Sequence, residues 1–309
     1  MRRKIFINKV STKKIIFIGN VIMSLHFLKT LVNLKKHVSI KGIISRPKNS
    51  FNTDYADLKK FSKKNKIPFC QTLNINSKTT YSWIKKIGPD YIFCFGFSQL
   101  IKNPLLRDYK NKIIGFHPSS FPILKGRNPI VWSIILNRKF SGTNFFFINK
   151  RPDSGGIIDH YKILIKKSMN ANDLYNAISK AGQKRIPILI KKILKNKIVT
   201  IKNTSKILMR KRKPGEEIID WRMSNKSIHN LVRALSKPYI GAYFFYKKDK
   251  YRVLKTSLIK NYSYPELNEY GKVLKIKKKG FVIKCGEGVI EILETYPKIR
   301  LKLNESIYQ

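Results

Sequence analysis

The sequence predicts an α/β protein: a doubly wound, mostly parallel sheet, followed by a smaller all-β module. Continuous apolar runs at 14–20 (KIIFIGN), 38–45 (VSIKGIIS) and 90–96 (DYIFCFG) read as strands buried on both faces. Segments with apolar residues at helical spacing alternate with them, which calls for βαβ units in one sheet. Beyond residue 215 the runs become short and alternating, with turn residues between them, as in a small barrel.

The first unit opens with the strand at 14–20, then a helix over 21–34 with Ile22, Leu25, Leu28, Leu31 and Leu34 at helical spacing. The strand at 38–45 stops at Arg46-Pro47. The turn after the first strand carries one glycine and no GxGxxG, so it is no dinucleotide fingerprint. A charged helix is expected over 54–65, a short strand at 68–71, and a helix over 78–87 closed by Gly88-Pro89. After the strand at 90–96, residues 100–106 bridge to a strand at 113–116. Pro129 opens a buried helix over 129–136. Strands follow at 143–148 and 157–165, then a long amphipathic helix over 171–194, open to interruption at Pro187.

At about 150 residues per domain, 309 residues suggest two. We expect an extension at 1–13, a first domain at 14–201, a basic linker at 202–215 and a second domain at 216–309. In the second domain a helix around 226–235 precedes strands near 243–246, 251–257, 271–276, 281–284 and 288–294. No run of ~18 uncharged apolar residues suggests a membrane span. The basic-then-apolar start resembles a signal peptide only faintly, lacking a small-residue cleavage pattern. Cys70, Cys94 and Cys285 are scattered, and His26, His37, His160 and His229 show no ligand spacing. Neither a disulfide framework nor a metal site is expected, and the usage fits a reducing cytoplasm.

Charge is the dominant global feature: 65 Lys+Arg against 17 Asp+Glu, net +48. It fits a nucleic acid or an acidic substrate. It also fits a bland source, because Lys, Ile, Asn, Phe and Tyr, all with AT-rich codons, are abundant together and the basic residues form no single patch.

The candidate site lies in 113–159. One apolar run delivers His117 into a proline-broken loop, and a second leads to Asp153 in a Ser-Gly-Gly turn. A histidine and a carboxylate at strand ends are what acid–base chemistry needs. Parallel sheets place sites at the carboxyl ends of strands, where Gly96-Phe97-Ser98-Gln99 ends a third run. Alone, His117 reads as a structural histidine and Asp153 as a turn residue or an N-cap, and it is their company that points to a site. Gly126-Arg127 reads as a surface turn or as a cation beside an anionic substrate.

HPSSFPILKGRNPIVW at 117–132, followed by FFFI and DSGGII, resembles the formyltransferases that use 10-formyltetrahydrofolate. That family includes methionyl-tRNA formyltransferase, glycinamide ribonucleotide formyltransferase and formyltransferases of nucleotide-linked amino sugars. IIFIGN at 15–20, FGFSQLI at 95–101 and RKRKPGEEIIDWRMSNKSIHNLVRALSKPYIGA at 210–242 extend the resemblance over nearly the whole chain. It implies a Rossmann-like formyltransferase domain with a C-terminal OB-like barrel, and transfer of formyl from 10-formyltetrahydrofolate to an amine. It places the catalytic pair at His117 and Asp153, and the donor against Phe95, Gly96, Phe97, Ser98, Gln99, Leu100, Ser154 and Gly155. It places the acceptor near Ser119, Gly126, Arg127 and Asn128. The family's catalytic asparagine falls on Gly115, so one oxyanion donor is missing, a loss of ~10²–10³ in rate elsewhere.

The resemblance leaves the acceptor between a nucleotide-linked amino sugar and initiator methionyl-tRNA. The short segment SRPKNSFNTDYADL, where tRNA enzymes carry a longer Gly- and Lys-rich insertion, favours the sugar. The charge, the expected barrel and Arg210-Lys211-Arg212-Lys213 favour tRNA. Gly115 also leaves room for hydrolysis of the donor, or for an inactive relative that only binds folate or RNA. A homodimer stays open.

Overall fold

The computed structural model describes residues 12–48, 54–119, 124–204, 208–259, 261–263 and 269–307. Most of the expected extension at 1–13 and part of the linker lie outside them. The chain divides into two compact units, one of residues 1–125, 142–163 and 177–207, the other of 126–141, 164–176 and 208–309.

The first unit is built on β1 (Lys13–Ile18), α1 (Ile22–Asn33), β2 (Val38–Ser45), α2 (Leu58–Lys64), β3 (Phe69–Gln71), α3 (Lys78–Ile87), β4 (Tyr91–Phe95), α4 (Leu105–Asp108) and β5 (Ile113–His117). The two-residue β6 (Lys125–Gly126) and α5 (Pro129–Ile135) intervene before β7 (Phe140–Phe147), β8 (Ile157–Leu164) and α6 (Ala171–Leu194). One seven-stranded sheet results, in the order β3-β2-β1-β4-β5-β7-β8. Its first five strands are parallel, and β7 runs antiparallel to β5. Burial on both faces explains the continuous apolar runs. On one face Phe27 of α1 meets Phe95 and Phe116, at 5.9 and 4.8 Å between ring centres. On the other, Ile16, Ile18, Ile92 and Ile113 pack with Ile84 of α3. Single glycines set two helix approaches. A Cβ at Gly42 would stand 2.5 Å from the Trp83 ring of α3, and one at Gly182 of α6 would stand 2.4 Å from Phe27.

The charged helix expected over 54–65 begins only at Leu58, where the Asp57 carboxylate accepts from Lys60 N. The long helix forms over its expected length, and the interruption left open at Pro187 does not occur. Arg185 and Lys192, on either side of the proline, both hold Asp159 of β8 and tie the helix down across the missing hydrogen bond.

The second unit contains α5, then β9 (Leu208–Met209), α7 (Asn225–Ala234), β10 (Ala242–Tyr246), β11 (Asp249–Leu258), β12 (Val273–Ile276), β13 (Phe281–Lys284) and β14 (Val289–Tyr296). Ser224 caps α7 by accepting from Ser227 N. Buried Trp221 meets Phe244 edge-on at 5.5 Å. All five expected strands form, as an antiparallel sheet in the order β10-β11-β14-β13-β12. The expected small β module is present, with β10 and β12 as the two edges of its sheet and no pairing among the described residues joining them.

Candidate active site

His117 is the last residue of β5 and is buried, with 7% of its surface exposed. Its Nε2 lies 3.1 Å from the Leu124 carbonyl oxygen. Since a carbonyl only accepts, Nε2 carries the hydrogen. Ser119 Oγ donates to the same oxygen at 2.5 Å. Asn144, buried on β7 opposite His117, donates from Nδ2 to the carbonyls of His117 and Ser119. These bonds fix the loop's exit and turn the Nδ1 edge of the ring toward the turn that carries Asp153.

Nδ1 faces Asp153, with Oδ2 at 3.7 Å. The expected common edge of strand ends does not explain this. Because β7 is antiparallel to β5, its end lies level with the start of β5, where Ile148 N donates to Ile113 O. The turn must double back to bring Asp153 to the far end of β5. Its backbone is built for that. Asp153 sits at φ +49°, its carbonyl accepts from Asn203 Nδ2 at 2.6 Å, and Ser154 Oγ donates to Asn149 Oδ1 at 2.7 Å. A Cβ at Gly155 would stand 1.6 Å from Phe147 O, so only glycine permits this approach.

Burial pushes the His117 pKa below the usual 6.5, against the opposing pull of the Asp153 carboxylate and the Leu124 carbonyl. The resting ring is therefore neutral at pH 7, with its Nδ1 lone pair toward a carboxylate. The carboxylate eases proton uptake by the buried ring, because an imidazolium beside a carboxylate is stabilised where a bare buried imidazolium is not, although burial still holds the net pKa low. Lys125, buried on the next strand, has its pKa lowered by burial and raised by Asp153.

Gly115 lies two residues before His117, so both side-chain directions share one face of the sheet. The space before it is filled. A Cβ there would stand 2.9 Å from Phe146 Cζ and 3.0 Å from Ile148 Cγ1.

The expected donor loop starts beside His117, because Phe95 pairs with Phe116 across β4 and β5. Phe95 itself is fully buried core. Gly96, at φ +73°, lies against α1, since a Cβ would meet Ser24 Oγ and Val21 Cγ2 at 2.6 Å. Gln99 turns away, accepting from Ile75 N at 3.0 Å and donating to Leu73 O at 2.6 Å. Leu100 is 57% exposed and offers an apolar surface. Ser98 Oγ accepts from Arg46 Nη1 at 3.5 Å.

Of the expected acceptor residues, Ser119 is buried and used by the loop. Gly126, Arg127 and Asn128 fall in the second unit. There Arg127 N donates to Met209 O at 2.9 Å, and Asn128 Oδ1 accepts from Arg212 N at 3.3 Å. In the basic linker, Arg210 pairs with Glu216 at 2.5 Å and covers the Trp132 ring at 5.3 Å, while Arg212 pairs with Glu216 at 3.6 Å. Sequence reasoning missed Asn144, Asn203 and Lys125. Only Asn144 carried a signal, as a lone amide inside the apolar run TNFFFI. Among the described residues no group of His, Cys, Asp and Glu could hold a metal ion, and no helix is long and apolar enough to cross a membrane.

The chain is 32% identical over 241 residues to a bifunctional polymyxin resistance protein ArnA of Wigglesworthia glossinidia brevipalpis, covering 77% of this chain and 36% of that one. The chain thus spans about a third of that relative. It is 26% identical over 290 residues to a methionyl-tRNA formyltransferase of Clostridium novyi, with 91% of each covered. The fold matches the crystal structure of an N-formyltransferase from Helicobacter canadensis, in complex with folinic acid and dTDP-3-aminofucose, with a TM-score of 0.67 at 21% identity, covering 93% of this chain and 100% of that one. Residues 13–190 match the formyl transferase family and residues 211–306 its C-terminal domain, so this chain belongs to the formyl transferase family.

Proposed function

We propose that the protein moves a formyl group from 10-formyltetrahydrofolate to the primary amine of a nucleotide-linked amino sugar, with His117 and Asp153 as the reacting pair. The observation that carries this is the buried Nδ1–Oδ2 approach of 3.7 Å. The donor supplies a formyl carbon and a nitrogen leaving group that must regain a proton. Gly96 to Leu100, with an exposed leucine beside backbone groups at the end of β4, fit a flat apolar ring system.

One proton moves overall, from the attacking amine to the departing nitrogen. The neutral His117 Nδ1 and the Asp153 carboxylate take that proton between them as the amine attacks. The imidazolium so formed is held by the carboxylate and by Leu124 O, and it returns the proton to the leaving nitrogen. With no side chain at Gly115, negative charge developing on the formyl oxygen falls to the charged ring and to backbone amides. Asn203 and Asn144 serve as positioning residues, one holding the Asp153 backbone and the other the loop after His117.

The sugar acceptor is favoured by the linker. Within its basic run Arg210-Lys211-Arg212-Lys213, two of the four residues already pair with Glu216 in the second unit, which leaves less of the run's charge for phosphates. A tRNA acceptor is supported by the even coverage shared with the Clostridium novyi relative. Incubation with 10-formyltetrahydrofolate, initiator methionyl-tRNA and a panel of dTDP- and UDP-linked 3- and 4-amino sugars tests both. Formylation of a sugar, abolished by His117→Ala, is expected. Formylation of the tRNA alone overturns the acceptor, and the absence of any transfer leaves a binding relative.

A further inference from the structure

In the order β3-β2-β1-β4-β5 the chain works outward on one side of β1, then returns to its other side with β4. The topological switch point therefore lies between β1 and β4, and open α/β sheets take ligands outside the carboxyl ends of the strands there. The amides that usually trap an anion at such a point are spent. Asn20 N and Val21 N both donate to Ser24 Oγ at 3.2 Å, and Ile22 N donates to Asp54 O at 2.8 Å. Ser24 in turn donates to Phe95 O at 2.6 Å, which locks the turn to β4.

A guanidinium stands there instead. Arg46 directly follows β2, and its backbone N donates to Asn20 Oδ1 at 3.1 Å. The same oxygen accepts from Ser45 Oγ at 2.8 Å, so the root of the side chain is fixed. Its Nη1 reaches Ser98, beyond β4, at 3.5 Å. Since β1 separates β2 from β4, the side chain must cross the carboxyl end of β1 to get there. One long bond to a hydroxyl uses little of a group with five N–H donors. Its Nε is buried and has no hydrogen-bond partner among the described residues. A buried donor left unmade costs stability, and such groups concentrate where a ligand completes them.

We infer that Arg46 and Ser98 form an anion subsite at the switch point, which takes a carboxylate or phosphate oxygen of a bound small molecule. A guanidinium presents two parallel N–H groups, the geometry of either anion. Resting on the proposed formyl transfer, two sources bring that chemistry: the glutamyl carboxylate of the folate and the phosphates of a nucleotide-linked acceptor.

Calorimetric titration separates them with four probes: 5-formyltetrahydrofolate, the same pterin–aminobenzoate without its glutamate, dTDP, and thymidine. In Arg46→Met one anion-bearing probe should bind about 10- to 100-fold more weakly, while its counterpart lacking that anion binds as in the wild type. Arg46→Lys should fall between, and Ser98→Ala should give a smaller loss for the same probe. The probe that loses affinity names the source. Unchanged binding of all four probes, equal loss of both members of each pair, or a wild type that binds neither anionic probe overturns the subsite. Formyl transfer, measured in parallel, is read apart from it. Unchanged probe binding in Arg46→Met with wild-type transfer intact removes the subsite alone, whereas no transfer to any amine with a persistent anion-selective loss removes the proposed reaction alone.

Discussion

The ring of His117 is held at one nitrogen by Leu124 O and faces a carboxylate with the other, so its titration reports the site directly. Burial holds its pKa below 6.5, and Asp153 partly restores it. An imidazole NMR titration should find the midpoint below 6.5, and lower still in Asp153→Asn, which removes the restoring charge. A midpoint that rises in that variant would mean that the carboxylate is not what the ring senses. The linkage to stability has a definite sign. Above 6.5 the ring is neutral in both the folded and the unfolded chain. Below it, the unfolded chain binds a proton that the folded site resists, so this contribution to stability falls as the pH drops toward the folded pKa. Gly115 gives a second test. Gly115→Asn restores the family's residue but forces its Cβ against Phe146 and Ile148, at a cost of about 1–3 kcal/mol. Thermal melting should show that loss, without any gain in kcat, and the double variant with Ile148→Ala should recover part of it. A single variant as stable as the wild type would show that the space is free. His117 was legible because a titratable residue at the end of an apolar run stands out, and Asp153, in a polar Ser-Gly-Gly turn, was legible through its motif and the family resemblance. Arg46, Asn144 and Asn203 were not, because each acts on a partner 25 or more residues away, a pairing that no local pattern encodes.

Strands and helices were legible wherever one period persisted, and the parallel sheet followed from their alternation. The direction of β7 was not. An apolar run buried on both faces reads the same in either direction, and its reversal decides that Asp153 must double back to reach His117. The edges of the C-terminal sheet were equally hidden, because alternation specifies the faces of a sheet but not its edges. For α6, Pro187 left a break open and the helix stays continuous beside long-range ion pairs. Asp159 is 3% exposed and takes Arg185 Nε and Nη2 at 2.7 and 2.6 Å, plus Lys192 Nζ at 2.9 Å. Burial alone would raise its pKa, but the two cations outweigh it and hold the carboxyl low. Asp159→Asn should therefore destabilise the protein by about 3 kcal/mol, near the low end for a broken buried pair, because Arg185 and Lys192 keep access to water. Denaturant unfolding measures it, and a change below about 0.5 kcal/mol, ordinary for a surface substitution, would mean that packing alone carries α6 across its proline.

With 17 acidic residues for 65 basic ones, most cations on the whole molecule have no acid to face, and their mutual repulsion opposes the folded state. Salt shortens the reach of that repulsion from ~30 Å at 0.01 M to ~8 Å at 0.15 M. The melting temperature should therefore rise with sodium chloride over that range, by about 2–4 °C for each kcal/mol of repulsion removed. The opposing effect is small. Ion pairs at exposed side chains, such as Arg222 with Asp220, contribute roughly 0–1 kcal/mol each and weaken with the same salt. A melting temperature that is flat or falls would mean that the cations are already matched locally. The same series weighs the two sources of the charge. If the excess is a codon-driven background, a simple electrolyte suffices and micromolar tRNA adds nothing at 0.15 M salt. If it is a nucleic-acid surface, tRNA stabilises at low salt and its effect collapses steeply with ionic strength, because each phosphate contact releases a counterion. The sugar acceptor predicts the first behaviour, since one nucleotide offers two or three phosphate charges where a tRNA stem offers a charged row.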